Sequence, residues 1–319
     1  MKMKTFAQIG MFAVIVLITV VSAECRAEEI DIKKARKEAA QKKRRVIYNN
    51  DGGYVEYPFN TPEKFVGVRL QQTIDSQVDT VFFNVGCTTI FTFDNDVGET
   101  FGEFINEQSK TWPQHMKKGI EVLRKTGTAP PALPSNTAIG NGIEFFLSLR
   151  MNDFHDSFMP WMLSRWKREN PQYLLGQKSL NYELPEVRDY IYRILESFCT
   201  RFNIAGIELD LCRVPRAFPP SVEGKAVEPR HVEIMNDFMR RIRKMTERVG
   251  KQRSRPLLIT ARTPMTVERS LAVGLDLRTW FEEDLFDVLV VGGGYAPVTI
   301  VSSLREIAKL AHRYGVLHH

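Results

Sequence analysis

Hydrophobic positions along the chain fall into short apolar runs, and amphipathic stretches with helical spacing separate these runs. The run at 80–85, Thr-Val-Phe-Phe-Asn-Val, is almost continuously apolar, as expected of a strand that is covered on both faces of a parallel sheet. The pattern predicts six strands, at 45–49, 80–85, 143–149, 205–213, 256–261 and 286–291. Strands that alternate with helices are typical of α/β folds built on a parallel sheet.

The length of the chain favours one large α/β barrel over two small domains. Its 319 residues accommodate a (β/α)8 TIM-type barrel of about 250 residues together with extensions. Only six strand–helix units are counted, and a seventh strand would begin at 315–317, just before the last residue, His319. We therefore expect residues 45–319 to form a barrel that is incomplete at its C-terminus, as in a truncated product.

The N-terminus has the features of a secretion signal. A basic segment at 1–4 precedes an uncharged apolar run at 6–21, and Val21-Ser22-Ala23 provides a small-residue cleavage site. We expect residues 1–23 to be a signal peptide, with a membrane anchor as the alternative reading. A secreted or periplasmic protein without a stable membrane span follows from this expectation. The charge-dense segment at 24–44 is predicted to be a solvated arm or helix.

The stretch Ala205–Arg213 combines apolar alternation with two acids and a terminal base. Glu208 and Asp210 are two residues apart, so they point to the same side of an extended strand. If that side is the barrel interior, two carboxyl groups meet at the mouth of a pocket.

Polar residues also follow the other predicted strands. Because active sites of TIM barrels lie at the carboxyl ends of the strands, this distribution predicts a site. The candidate substrate-binding residues are Asn49, Asp51, Asn84, Arg150, Asn152, His155, Arg213, Arg262 and Tyr295.

Three of these strand ends resemble a known group of proteins. The segments are Arg-Val-Ile-Tyr-Asn-Asn-Asp-Gly-Gly at 45–53, Leu-Arg-Met-Asn-Asp-Phe-His-Asp at 149–156, and Gly-Ile-Glu-Leu-Asp-Leu-Cys-Arg at 206–213. They are similar to bacterial secreted glycoside-hydrolase-like TIM-barrel proteins, the glycosyl-hydrolase-like family 10 group. The fourth strand of that group tends to read Gly-Ile-His-Phe-Asp-Asp-Tyr, so Glu208 replaces the His and Leu211 replaces the second Asp.

The resemblance implies hydrolysis of a glycosidic bond in an oligo- or polysaccharide, which requires one protonated and one ionised carboxyl group. We predict Asp210 as the nucleophile or stabilising carboxylate and Glu208 or Asp153 as the general acid. Like-charge proximity is expected to raise the pKa of one member of such a pair. No cofactor or metal is required by this hypothesis.

Two alternatives remain. The acids could form a structural ion-pair network with Arg150, Arg213 and Arg262, inherited by a non-catalytic or degenerate carbohydrate-binding barrel. Asp153, His155 and Asp156 with Glu208 and Asp210 could instead hold a divalent cation in a hydrolase or lyase acting on acidic sugars. Nucleic acid is not an expected partner, because the net charge of +6 is spread without an aromatic-interleaved basic stripe.

Overall fold

The computed structural model describes residues 30–51, 60–91, 93, 95–101, 114–125, 131–176, 179–292 and 301–319. The predicted signal peptide at 1–23 and Tyr295 lie outside the described residues. Among the helices that are described, none is both long and apolar enough to cross a membrane.

The described residues form twelve strands, of which seven belong to a central sheet and five to two small sheets. They are β1 (Ile47–Asn50), β2 (Thr80–Asn84), β3 (Gly86–Cys87), β4 (Ile90–Phe91), β5 (Glu99–Thr100), β6 (Glu144–Arg150), β7 (Leu174–Leu175), β8 (Ser179–Leu180), β9 (Gly206–Asp210), β10 (Leu258–Pro264), β11 (Val288–Gly292) and β12 (Leu317–His318).

Helices connect these strands. They are α1 (Ile32–Ala40), α2 (Pro62–Leu70), α3 (Gln114–Lys125), α4 (Ala132–Gly140), α5 (Arg165–Glu169), α6 (Pro185–Arg201), α7 (Pro219–Val222), α8 (Pro229–Gln252), α9 (Val267–Ala272), α10 (Leu277–Glu282) and α11 (Val301–Arg313). Caps fix several of their starts. In α2, for example, Thr61 accepts a hydrogen bond from the Lys64 N–H and Pro62 occupies the first turn.

The central sheet has seven strands in the order β1-β2-β6-β9-β10-β11-β12, and every neighbouring pair is parallel. It curls into half of a barrel. The six predicted strands are present, and β12 adds a seventh that pairs with β11. The count of six units was therefore one strand short. Within the described residues β1 and β12 do not pair, so a closed eight-stranded barrel is not seen there.

The convex face of the sheet carries the main apolar core. In β9, Ile207 and Leu209 pack outward into the layer of helices, whereas Glu208 and Asp210 point into the concave side. Gly206 is required at the amino end of the same strand. A Cβ there would overlap the Leu258 carbonyl oxygen and the Phe146 ring, so only glycine lets the three central strands pack around that ring.

A second, smaller apolar cluster lies on the concave side, at the amino ends of the strands. It consists of Phe82, Phe146 and Leu258 together with Ala40 of α1. The charged segment expected to be solvated thus contains a helix that covers the lower end of the half-barrel. The sequence pattern missed this because only two of its buried residues, Ile32 and Ala40, are apolar.

The third buried residue of α1 is charged, and it anchors the helix. The Arg36 guanidinium forms ion pairs with Asp284 and with buried Asp287. Asp287 also contacts Arg243 at 3.0 Å and accepts a hydrogen bond from the Ile259 N–H at 2.7 Å. This network links α1 to β10 near the amino ends of the strands.

Replacing Arg36→Ala is expected to lower the free energy of unfolding by about 2–3 kcal/mol, because Asp287 stays buried with one cationic partner fewer. Urea denaturation measures the change. Lys37→Ala is the control. The Lys37 side chain is 67% exposed and 3.6 Å from Asp284, so its loss should cost less than about 0.5 kcal/mol. Equal losses in the two variants would contradict the anchoring role.

Candidate active site

The register of the three central strands arranges the concave side chains in rows. From the carboxyl ends downward, the rows are Arg150–Asp210–Arg262, Ser148–Glu208–Thr260 and Phe146–Gly206–Leu258. The top row alternates in charge, the middle row is polar and buried, and the bottom row is apolar. The predicted convergence of acids and bases at one end of the sheet is therefore observed.

A cleft of about 190 Å³ opens above these rows. Its walls come from five loops or strand ends, and seven of its lining residues belong to the predicted site. The lining residues are Asn49, Asp51, Asn84, Ser148, Arg150, Asp210, Cys212, Arg213 and Arg262.

Asp210 is held from three directions. Its Oδ1 accepts hydrogen bonds from the backbone N–H groups of Cys212 at 3.1 Å and Arg213 at 2.9 Å. Its Oδ2 lies 3.5 Å from Nη1 of Arg262. The strand end turns back on the side chain, so the carboxylate is fixed in orientation at the floor of the cleft.

Glu208 lies directly below this floor and is fully buried, so it does not line the cleft. Burial, and then the nearby charge of Asp210, raise the pKa of Glu208 to about 7, while Ser148 and Arg262 oppose the change. Ser148 faces Glu208 across the register, but neither carboxyl oxygen forms a well-aligned hydrogen bond to a described residue. Glu208 is thus a carboxyl group that holds a proton close to neutral pH, one layer away from solvent.

Asp153 is buried at the side of the cleft in a network of hydrogen bonds. One oxygen lies 3.2 Å from Nη1 of Arg150, and the other accepts from the backbone N–H of His155 at 2.7 Å and contacts His155 Nδ1 at 2.6 Å. Burial alone would raise the pKa of Asp153, but His155 and Arg150 outweigh it and the pKa is lowered. Of the two predicted general acids, Glu208 therefore has the more suitable proton affinity.

His155 connects this network to the cleft. Its Nε2 lies 3.2 Å from Nη2 of Arg213. A guanidinium has only donors, so Nε2 accepts and Nδ1 donates to Asp153. Arg150 completes the connection by forming an ion pair with Asp51, whose side chain is 80% exposed at the cleft wall.

Two other predicted residues support loops. Asn152 is buried, donates to the carbonyl groups of Leu180 at 3.1 Å and Arg216 at 2.7 Å, and accepts from the Leu180 N–H at 2.8 Å. Asp156 forms an ion pair with Lys167 at 3.1 Å. Neither lines the cleft.

One group within the described residues has the composition of a metal site, namely Cys87, Asp153 and His155. It does not fit a cation. Nη1 of Arg150 lies 3.8 Å from the Cys87 sulfur and 3.2 Å from Asp153, so a positive charge already contacts two of the three groups. Burial raises the pKa of the Cys87 thiol, whereas metals bind the thiolate.

Two residues that line the cleft, Ser148 and Cys212, are not among the predicted site residues. A signal was available. Each is two positions from a predicted site residue, Arg150 or Asp210, so the two-residue period of a strand places Ser148 on the same face as Arg150.

Solved structures with a similar fold carry glycoside hydrolase names. The PgaB (BpsB) glycoside hydrolase domain from Bordetella bronchiseptica is 14% identical, with a TM-score of 0.50 over 84% of this chain and 80% of that chain. Alpha-L-fucosidase isoenzyme 2 from Paenibacillus thiaminolyticus is 12% identical, with a TM-score of 0.46 over 86% of this chain and 45% of that chain. The catalytic domain of psychrophilic chitinase B from Arthrobacter TAD20 is 11% identical, with a TM-score of 0.42 over 85% of this chain and 68% of that chain.

The chain thus shares its fold with the PgaB domain, and it spans less than half the length of the fucosidase. No protein-family model matches the sequence, and neither does any curated protein. Membership of the glycosyl-hydrolase-like family 10 group stays a prediction.

The raised pKa of Glu208 has a measurable consequence for stability. The folded state binds this proton more tightly than the unfolded state, whose ordinary value is 4.5. The contribution of Glu208 is therefore most favourable below about pH 4.5, declines as the pH rises to about 7, and is constant above that.

Comparing unfolding free energies from pH 4 to 8 tests this. Wild type should lose up to about 3 kcal/mol more than Glu208→Gln across that window, since a tenfold change in proton affinity is worth about 1.4 kcal/mol. Parallel profiles for the two proteins would show that Glu208 titrates normally.

Proposed function

We propose that this chain is a glycoside hydrolase that cleaves its substrate in the cleft above Asp210. The observation that carries the proposal is the position of Asp210. It is a rigidly held carboxylate on the floor of a polar cleft at the carboxyl ends of parallel strands, where barrel enzymes place their catalytic groups.

In this proposal Asp210 acts as the nucleophile or stabilises positive charge that develops on the sugar. The two backbone N–H groups and Arg262 fix its orientation, so no side-chain reorganisation is needed during the reaction. The amides of Asn49 and Asn84 and the carboxylate of Asp51 offer hydrogen-bond partners for sugar hydroxyl groups along the wall.

The proton for the leaving group comes from Glu208. Because Glu208 is buried, it reaches the substrate through Ser148, which lines the cleft and faces Glu208 in register. The two side chains form no well-aligned hydrogen bond in this structure, so the transfer requires one of them to rotate toward the other. The Ser148 hydroxyl gives its proton to the departing glycosidic oxygen and receives the proton of Glu208. The carboxylate left on Glu208 regains a proton from the attacking water along the same path.

Two further observations support a carbohydrate substrate. The fold is shared with a domain that is named a glycoside hydrolase. The strand-end segments resemble secreted glycoside-hydrolase-like barrels, and the predicted signal peptide would bring the protein to extracellular or periplasmic polysaccharide.

A second function, carbohydrate binding without turnover, is favoured by one observation. Both predicted general acids, Glu208 and Asp153, are buried, and Asp51 and Asp210 are the carboxylates that line the cleft among the described residues. Retention of a polysaccharide without cleavage would support this alternative.

Replacing Asp210→Asn should reduce the rate of glycoside hydrolysis by at least about 100-fold and leave the fold unchanged. Reducing-end release from a polysaccharide panel measures the rate, and circular dichroism checks the fold. The matched control is Asp237→Asn, an exposed aspartate of α8 that pairs with Arg240. An unchanged rate in Asp210→Asn would overturn the proposal.

The relay is tested by Ser148→Ala, which should lower kcat and leave KM nearly unchanged. Wild-type kcat should fall as the pH rises through about 7, because Glu208 then loses its proton. In Ser148→Ala this fall in kcat near pH 7 should disappear. If the variant keeps both the rate and this fall, Ser148 carries no proton.

A further inference from the structure

A second cavity of about 460 Å³ adjoins the cleft. Cys212 and Arg213 line both spaces, so together they form the boundary between them. The strand-end carboxylate Asp210 lies on one side of this boundary only. A ligand long enough to occupy the cleft can therefore continue into the larger cavity.

The larger cavity differs from the cleft in its chemistry. Its surface is mainly apolar, with Phe154, Val214, Met265 and Val273 among the lining residues. No aspartate or glutamate of the described chain lines it. An apolar surface of this kind suits the ring face of a sugar, which presents C–H groups.

All charged groups that line this cavity are arginines. Arg213 lies at the boundary, and Arg216 and Arg269 are exposed at the wall. Within the described residues neither Arg216 nor Arg269 forms a side-chain ion pair. Guanidinium groups bind carboxylates and sulfates through paired N–H donors, so the exposed Arg216 and Arg269 give this apolar cavity a receptor for an anion.

We propose that the larger cavity is a subsite for an acidic sugar unit, which bears a carboxylate or a sulfate, next to the unit that is cleaved over Asp210. This inference rests on the proposed glycoside hydrolase function and specifies its substrate class. In the cleft, Arg150 is paired with Asp51 and Arg262 with Asp210, whereas no carboxylate of the described residues offsets the arginines of the neighbouring cavity. A negatively charged group is therefore attracted more strongly to the larger cavity than to the cleft. The charge distribution thus favours a neutral unit in the cleft and an acidic unit beyond Arg213.

Binding to the Asp210→Asn protein by calorimetry tests the inference without turnover. The probes are a hyaluronan hexasaccharide, in which carboxylate-bearing and neutral units alternate, a κ-carrageenan hexasaccharide, in which sulfated and neutral units alternate, and neutral cellohexaose. At least one acidic probe should bind about tenfold more tightly than cellohexaose, which corresponds to about 1.4 kcal/mol. The two acidic probes distinguish carboxylate from sulfate. The preference should weaken in about 0.5 M salt, where charges are screened within a few ångström.

The double variant Arg216→Gln/Arg269→Gln should lose the preference and keep its affinity for cellohexaose. The matched control is Arg305→Gln/Arg313→Gln on α11, which removes the same charge from a helix that lines neither cavity, and it should keep the preference. Equal affinities for acidic and neutral probes, or a preference that survives in the Arg216/Arg269 variant, would overturn the subsite.

The two proposals fail in different ways. If hydrolysis depends on Asp210 but acidic probes have no advantage, the subsite is wrong and the hydrolase stands. If acidic probes bind with the expected preference and wild type cleaves none of the substrates, the hydrolase is wrong and the subsite stands. If no probe binds, the subsite is wrong, and the hydrolase is decided by the hydrolysis rates of wild type and Asp210→Asn.

Discussion

The parallel register of β6, β9 and β10 is the constraint on which the candidate site depends. It places Asp210 between Arg150 and Arg262 at one level and Glu208 one level below. A slip of one residue in β9 would turn Asp210 toward the helices and bring Leu209 into the cleft. The apolar residues of the opposite face prevent such a slip, because Ile207 and Leu209 are fully buried against the helices.

The same geometry gives two chemically similar acids different environments. Asp210 ends its strand, where the chain turns and two backbone N–H groups become available to its carboxylate. Glu208 lies within the strand, where the backbone donors are used by neighbouring strands and the side chain meets only the sheet interior. Burial and the charge of Asp210 then raise the pKa of Glu208, as expected when a charge is moved away from water near another of its sign.

Much of this arrangement could be predicted from the sequence, because strand period and strand ends are local properties. Glu208 and Asp210 were expected on one face, and Arg150 and Arg262 beside them, and the structure brings all four together. The burial of each side chain was not predictable. The sequence does not indicate that Glu208 is shielded from solvent whereas Asp210, two residues later, lines the cleft.

Long-range packing accounts for the remaining differences. Arg36 reads as a surface residue in a charged segment, yet it is buried against Asp287, about 250 positions later in the chain. Asn152 resembles a substrate ligand by its position after β6, but its amide holds the main chain of Leu180 and Arg216. Both outcomes depend on partners that the local pattern does not specify.

Carbon-13 NMR of protein labelled at glutamate carboxyl groups tests the central claim most directly. We predict one glutamate carboxyl signal that titrates near pH 7 and is absent from Glu208→Gln, whereas exposed glutamates titrate close to pH 4. If every glutamate signal has finished titrating by about pH 5, Glu208 is not the buried proton carrier beneath Asp210, and the proposed division of roles is contradicted.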